Sequence, residues 1–453
     1  MNNVKGGIRV IIIDIIGVLI GVLNGFLLPK VLDVEGYAII KTFGLYIGYA
    51  GMLHLGFSDG MYILLGGKNY EKLDFKKVMG YFKVMLKLVF IIELIILVAN
   101  LFIIKDPIVY LFLLYAVPFQ ISLFFSLILR ATGNYNGYSL LKTATNIFTL
   151  VSVMTVILLF KDPYFYIWGQ IIIQFLLVFV SFYLFKGNLG KSEAINFSEI
   201  KYIITIGFSV LLANVVTNLI ISFDRWFVKI NFSTNEFAYY TFGTTLLALF
   251  LTLIASVGTV LYPFLSNYNN KKNTLIVKNI VLIIAFLSLG SSFAIDFIVQ
   301  NFLPDYAQSM GVLKILILAF PFISTINVLY ANLFKVFRKT KKFTIISIAM
   351  LAISFVSDLM LIRIFNRFDY VAFGTLITYF CWYMVCSLDK DFGLFSYKDM
   401  FVYGLSLVTL FGLQALQLAS LVQFFIYLII VSIICWIAYK EQIIGIREKI
   451  AKN

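Results

Sequence analysis

The residues able to do chemistry in this chain are charged and polar side chains set inside long apolar runs. Lys41, Lys142, Arg225 and Lys314 are cations within such runs, Asp14 and Glu93 are acids deep in two others, and Asp59 lies toward the end of one more. A charge in a hydrocarbon layer is costly, and it persists where it meets an aqueous cavity or a partner. Helical spacing places further polar groups beside these charges. Asn214, Asn218, Ser222 and Arg225 share one face, as do Ser139, Lys142, Asn146 and Thr149. Thr241, Thr245, Thr252, Ser256 and Thr259 make another stripe; so do Lys314, Pro321, Thr325 and Asn332, and Lys41, Gly48 and Asp59. Stripes of this kind fit a hydrated lumen, and Asp14, Glu93 and Asp59 fit the binding of Na⁺ or the carriage of a proton in coupling.

Each residue also has a plainer reading. The cations snorkel to the interface or form ion pairs, for instance Arg225 with Asp224 or Glu236. Asp14 and Glu93 are neutral and hydrogen-bonded, because burial raises a carboxyl pKa. His54, the sole histidine, is packed and hydrogen-bonded, pointing away from the Lys41/Asp59 face of an unbroken helix. Gly17, Gly21 and Gly25 let two helices pack closely. Cys381, Cys386 and Cys435 lie in apolar runs without metal spacing and read as small buried side chains.

These side chains need membrane helices to position them. The chain has 453 residues, 61% hydrophobic and 13% charged, with a mean hydropathy of +0.97, whereas soluble proteins carry roughly 25% charged residues. Apolar runs near span length predict helices at about 8–28, 37–65, 81–104, 107–130, 139–160, 164–186, 202–223, 237–262, 276–298, 309–334, 342–362, 369–388, 399–417 and 421–439. The fold class is therefore an all-α integral membrane protein of about 14 transmembrane helices. The net charge of +14 sits in short connections and reads as a topology signal rather than a nucleic-acid surface. About 24 of the 36 Lys and Arg fall on the side of the N-terminus, which places both termini in the cytoplasm. The first helix lacks a cleavage pattern and should be retained.

The string 29–37 has a weak echo at 229–239. Helices 1–6 (residues 1–189) and 7–12 (190–390) then read as two pseudo-symmetric six-helix lobes around a central cleft, an arrangement that suits alternating access. Residues 391–453 add two peripheral helices and a cytoplasmic tail.

Several strings resemble a known family. Tyr46-Ile-Gly-Tyr-Ala-Gly-Met-Leu-His-Leu-Gly-Phe-Ser-Asp-Gly60, Asp224-Arg225 followed by Glu236 and Tyr239-Tyr240, Tyr262-Pro-Phe-Leu-Ser266, and Leu303-Pro-Asp-Tyr-Ala307 are similar to polysaccharide repeat-unit (Wzx-type) flippases of the multidrug/oligosaccharidyl-lipid/polysaccharide exporter superfamily. The resemblance implies transport of undecaprenyl-pyrophosphate-linked oligosaccharide from the cytoplasmic to the outer leaflet of a bacterial inner membrane, for O-antigen, capsule or exopolysaccharide. Lys41, Arg225, Lys142 and Lys314 would then supply positive potential for the pyrophosphate, and Asn214, Asn218 and the hydroxyls would meet sugars. The expected partners are the lipid-linked oligosaccharide, membrane lipids, a polysaccharide polymerase and a chain-length regulator, with no nucleic acid. No cofactor is expected apart from Na⁺ or H⁺ coupling. Related peptidoglycan-precursor (lipid II) flippases carry arginines in their first helices, whereas helix 1 here carries Asp14. The alternatives are a cation-coupled multidrug exporter, a lipid II flippase and, further off, a membrane polysaccharide polymerase. An enzyme would show a large outer loop or an acid–base constellation, and this chain has short outer connections and one histidine.

Overall fold

The computed structural model describes residues 2–187, 190, 192–267, 271–416 and 418–450, without the side chains of 2–8, 11, 253–267, 271–273 and 441–450. Ser256, Thr259, the 262–266 string and Lys191 therefore lie outside what is described. Every described element is helical. In order these are α1 (Asn2–Val31), α2 (Val34–Ile47), α3 (Phe57–Leu65), α4 (Phe75–Ala99), α5 (Pro107–Ala131), α6 (Tyr135–Thr155), α7 (Pro163–Leu184), α8 (Phe197–Asn231), α9 (Thr234–Asn267), α10 (Lys271–Leu289), α11 (Ser291–Phe302), α12 (Ser309–Thr325), α13 (Ala331–Val336), α14 (Thr340–Phe365), α15 (Val371–Ser387), α16 (Tyr397–Ala415) and α17 (Ser420–Ile450).

Ten helical stretches are long and apolar enough to cross a membrane, and the pair Val34–Met52 and Phe57–Leu65, bent by 51°, makes an eleventh span. Thr234–Asn267, Val371–Ser387 and Tyr397–Ala415 complete the expected fourteen among the described residues. The protein is thus multi-pass, and apolar side chains such as Phe102 and Leu159 stay largely exposed because their solvent is lipid.

Local chemistry explains the boundaries. Asp33 caps α2 through Gly36 N–H at 2.8 Å. In a capping box before α9, Glu236 accepts from Ser233 N–H at 2.9 Å, and Glu236 N–H donates to Ser233 Oγ at 3.3 Å. The two turns, 31–34 and 231–234, have the same length and lie 200 positions apart, which is where the repeated strings fall. Two other turns share a second design. A π-helical turn (Asn100–Ile104, Val156–Phe160) ends on a lysine in the left-handed region, Lys105 at φ 55° and Lys161 at φ 49°. An aspartate then caps the next helix, whose first residue is proline.

The expectation of one unbroken helix over 37–65 is corrected. The chain leaves α2 at Gly48, passes a short 3₁₀ turn at Ala50–Met52 and enters α3 through Gly56, at φ 83°. Only glycine adopts that conformation without strain, and three glycines in nine residues weaken the helix here. The 276–298 helix is likewise nicked at Gly290, between α10 and α11, where the Tyr427 ring occupies the space a Cβ would need.

Two compact units result, Met1–Leu219 and Ile220–Asn453, with their boundary inside α8. In the first, α5 packs on α2, α3, α4 and α7, and α1 lies along α6. The start of α8 crosses α3 backbone to backbone: a Cβ on Gly207 would sit 1.9 Å from the Gly56 carbonyl oxygen. In the second, the largely buried α12 packs against α9, α10 and α15, while α16 and α17 pack against α10.

Candidate functional site

In the first unit Lys142 and Asp14, read separately in the sequence, form an ion pair between α6 and α1. Asn146, one turn on, donates to the Ile13 carbonyl at 2.9 Å and lies 3.0 Å from the Cβ position of Gly17. The α6 stripe thus bonds to α1, and of the glycine series Gly17 meets a neighbour while Gly21 meets none. Lys142 keeps 39% of its side chain exposed and lines a small cavity of about 220 Å³ with Ser122, Ser126 and Thr145.

The break between α2 and α3 frees backbone groups that membrane-buried side chains must satisfy. Gln120 donates to the Ala50 carbonyl at 2.6 Å, and Asn218 donates to the Gly48 carbonyl at 3.2 Å. His54 is 1% exposed and accepts from Gly56 N–H at 3.1 Å through Nδ1. It is packed and hydrogen-bonded as expected, but the break turns it toward Asp59, with Nε2 3.9 Å from Oδ2. The break also removes the continuous face assumed for Lys41, Gly48 and Asp59. Lys41 instead sits with its ammonium 5.0 Å from the buried Tyr37 ring, a cation–π contact. Asn214 is exposed on α8.

Glu93 lines a largely apolar cavity of about 780 Å³ with residues of α4, α5 and α7, and its Oε1 is buried without a hydrogen-bond partner. Pro118 lines the same cavity, and its ring nitrogen cannot donate to the Leu114 carbonyl one turn back.

The second unit holds a polar cluster around Asp224 and Tyr240, both quoted above, to which the structure adds Thr375 and Asp358, which the sequence reading did not single out. Asp224, 5% exposed, accepts from Tyr240 Oη at 2.8 Å, from Thr375 Oγ1 at 3.4 Å and from Arg225 N–H at 2.7 Å. Asp358, in the middle of α14, is fully buried; Ser354 reaches its Oδ2 at 3.4 Å, and its Oδ1 has no partner. Asp358 Oδ1 lies 1.8 Å from the Cβ position of Gly374, next in chain to Thr375. Arg225, with its Nε 4.0 Å from Asp224, supplies one compensating positive charge to the two acids. The donor set is all oxygen, from carboxylates and hydroxyls, which suits a proton or a hard cation. Sequence carried one usable signal: Asp358 is a single acid inside an apolar run, as Glu93 is.

Arg225 keeps 28% of its side chain exposed; its Nη2 donates to the Ile221 carbonyl at 2.7 Å, and its Nε stands 4.0 Å from Asp224. Glu236 is engaged by Ser233 at its own helix start. Lys314 is exposed in a pocket of about 620 Å³ with Glu236, Asp296, Arg367 and Asp369. Arg367 and Asp369 clasp through two hydrogen bonds of 3.1 and 2.8 Å. Lys278 and Asp399, each 1% exposed, form a buried ion pair at 2.6 Å, and Lys278 also donates to the Leu394 carbonyl. Among the described residues no group of three or more His, Cys, Asp or Glu side chains could hold a metal ion.

No family model matches the chain, and no curated protein matches it. Solved structures do. A lipid II flippase MurJ in an inward closed conformation superposes over 97% of this chain and 100% of its own, at 17% identity and a TM-score of 0.66. An inward-facing multidrug resistance MATE family transporter of the MOP superfamily covers 82% and 92%, at 16% identity and 0.58. An outward-facing structure of such a transporter covers 85% and 94%, at 16% identity and 0.50. The chain is a multi-pass membrane protein with the all-helical fold that these flippase and transporter structures share.

Proposed function

We propose that the protein is a flippase that moves undecaprenyl-pyrophosphate-linked oligosaccharide from the cytoplasmic to the outer leaflet of a bacterial inner membrane, without being an enzyme. The observation that carries this reading is the extent of the likeness. The lipid II flippase aligns with 97% of this chain and with all of its own, whereas the inward-facing drug transporter aligns with 82%. A carrier of lipid-linked cargo accounts for the whole architecture. An oligosaccharide cargo rather than lipid II is supported by α1, whose mid-span charge is Asp14, neutralised by Lys142, rather than arginines. Lys41 and Arg225 are the cations assigned to the cargo's phosphate charge, each to be tested by itself. Coupling runs through Asp224 and Asp358, whose oxygens would hold one proton or one Na⁺, in addition to the acids Asp14, Glu93 and Asp59 singled out in the sequence.

The test is complementation. The gene is expressed in a strain lacking its own repeat-unit flippase and in one depleted of lipid II flippase, with drug susceptibility measured alongside. Surface polysaccharide should return in the first strain only. Rescue confined to the lipid II strain, or drug resistance with no polysaccharide, refutes the cargo. Lys41→Ala and Arg225→Ala should each lower polysaccharide at unchanged protein abundance, and Lys105→Ala should be silent.

A further inference from the structure

At one end of the first unit, the loop 66–74 between α3 and α4 meets the turn 132–134 between α5 and α6, enclosing a hollow of about 830 Å³. Gly67 and Gly133, at φ 78° and 69°, shape the two segments. Gly67 N–H donates to the Ala131 carbonyl at 3.1 Å and ties them together. The lining is rich in hydrogen-bond donors. Arg130 lies 5.3 Å over the Tyr62 ring, and Lys68 follows Gly67. Two asparagines complete the set, and in both the side-chain oxygen is already taken. Asn69 Oδ1 accepts from Glu71 N–H at 3.0 Å, and Asn134 Oδ1 accepts from Gly137 N–H at 3.1 Å. Each still has its NH₂ group, a pure donor, to offer. Glu71 is the one carboxylate in the lining, against the two cations Lys68 and Arg130.

We propose that this hollow is a phosphate-binding site, suited to a singly charged phosphodiester such as a membrane-lipid headgroup. An arginine guanidinium offers a fork of donors to phosphate oxygens, and amide NH₂ groups add neutral donors. The excess of one positive charge matches a phosphodiester better than doubly charged inorganic phosphate. The site stands apart from the cargo proposed above, so loss of either leaves the other standing.

The test uses purified full-length protein and native mass spectrometry, with phosphatidylglycerol, diacylglycerol of the same acyl chains and inorganic phosphate as probes. The decisive variants are Asn69→Asp and Asn134→Asp. Asp caps a helix as well as Asn does, so folding is kept while an amide donor becomes a negative oxygen. Wild type should retain phosphatidylglycerol over diacylglycerol, and each variant should weaken retention roughly tenfold, about 1.4 kcal/mol. Arg130→Gln should do the same, and Lys105→Gln should change nothing. If both aspartate variants keep the thermal midpoint and hold phosphatidylglycerol as wild type does, the site is refuted. Equal retention of phosphatidylglycerol and diacylglycerol also refutes it. Displacement of the lipid by millimolar inorganic phosphate upholds the site and assigns it to soluble phosphate.

Discussion

Replacing Lys278 with methionine should destabilise the second unit severely, and the environment sets the size of the effect. Lys278 and Asp399 are each 1% exposed, so neither charge is screened by solvent. Removing the ammonium leaves Asp399 with only Tyr439 Oη, at 2.9 Å, and leaves the Leu394 carbonyl without its donor. Breaking a buried pair costs roughly 3–5 kcal/mol, because the surviving charge stays buried. At 2–4 °C per kcal/mol for a unit of this size, the midpoint should fall by about 6–20 °C. The matching loss for Asp399→Leu strands the ammonium instead. In Lys278→Met/Asp399→Leu no charge is left stranded, and replacing a buried pair with apolar residues of similar volume is often near neutral. The double variant should therefore be more stable than either single one, although it carries both changes. The assay is thermal unfolding of detergent-solubilised protein followed by size-exclusion chromatography. A double variant at or below the weaker single, or a Lys278→Met midpoint within a degree or two of wild type, would refute the account.

Gly207→Ala should prevent accumulation of folded protein, because its Cβ would lie 1.9 Å from the Gly56 oxygen and 2.4 Å from the Gly60 nitrogen, whereas Gly21→Ala, with nothing within 4 Å, should be tolerated; membrane abundance of the two variants decides this. Asp224→Asn and Asp358→Asn should each abolish any rise of the thermal midpoint on adding Na⁺ or changing pH that wild type shows, and an unchanged response would remove the coupling assignment. Lys105→Gly and Lys161→Gly should each stabilise by about 0.5–1 kcal/mol by relieving a left-handed lysine; a lowered midpoint in either would contradict the strain argument. Reporter fusions after Lys341 should read cytoplasm and those near Asp106 and Asp305 the outside, and inverted reporters at two of these would overturn the orientation.

The spans were legible because apolar length is a one-dimensional property, and so was the 200-position echo, which marks turns of equal length before α2 and α9. What the sequence could not disclose was pairing. Asp14 and Lys142 each stood out as charges in apolar runs, but 128 positions separate them, and nothing local indicates that one neutralises the other. Lys278 and Asp399, which the sequence did not single out, are likewise far apart, at 121 positions. The break after Gly48 is an intermediate case. Its glycines were visible, yet the apolar pattern runs straight through them, and a bend becomes tolerable only when Gln120 and Asn218 arrive from elsewhere to satisfy its carbonyls.

The two Lys-Asp-Pro turns bear on how the molecule can be handled. Each runs from a π-helical turn into the next helix with lysine and aspartate alone between them, so the connection contains no slack. An epitope or fluorescent protein inserted at 105–106 or 161–162 would have to unwind a cap and a helix start. The 66–74 segment offers a longer stretch of chain and is the better graft point, at the expense of the hollow it helps to build. A label placed there would therefore report location while giving up the hollow's ligand.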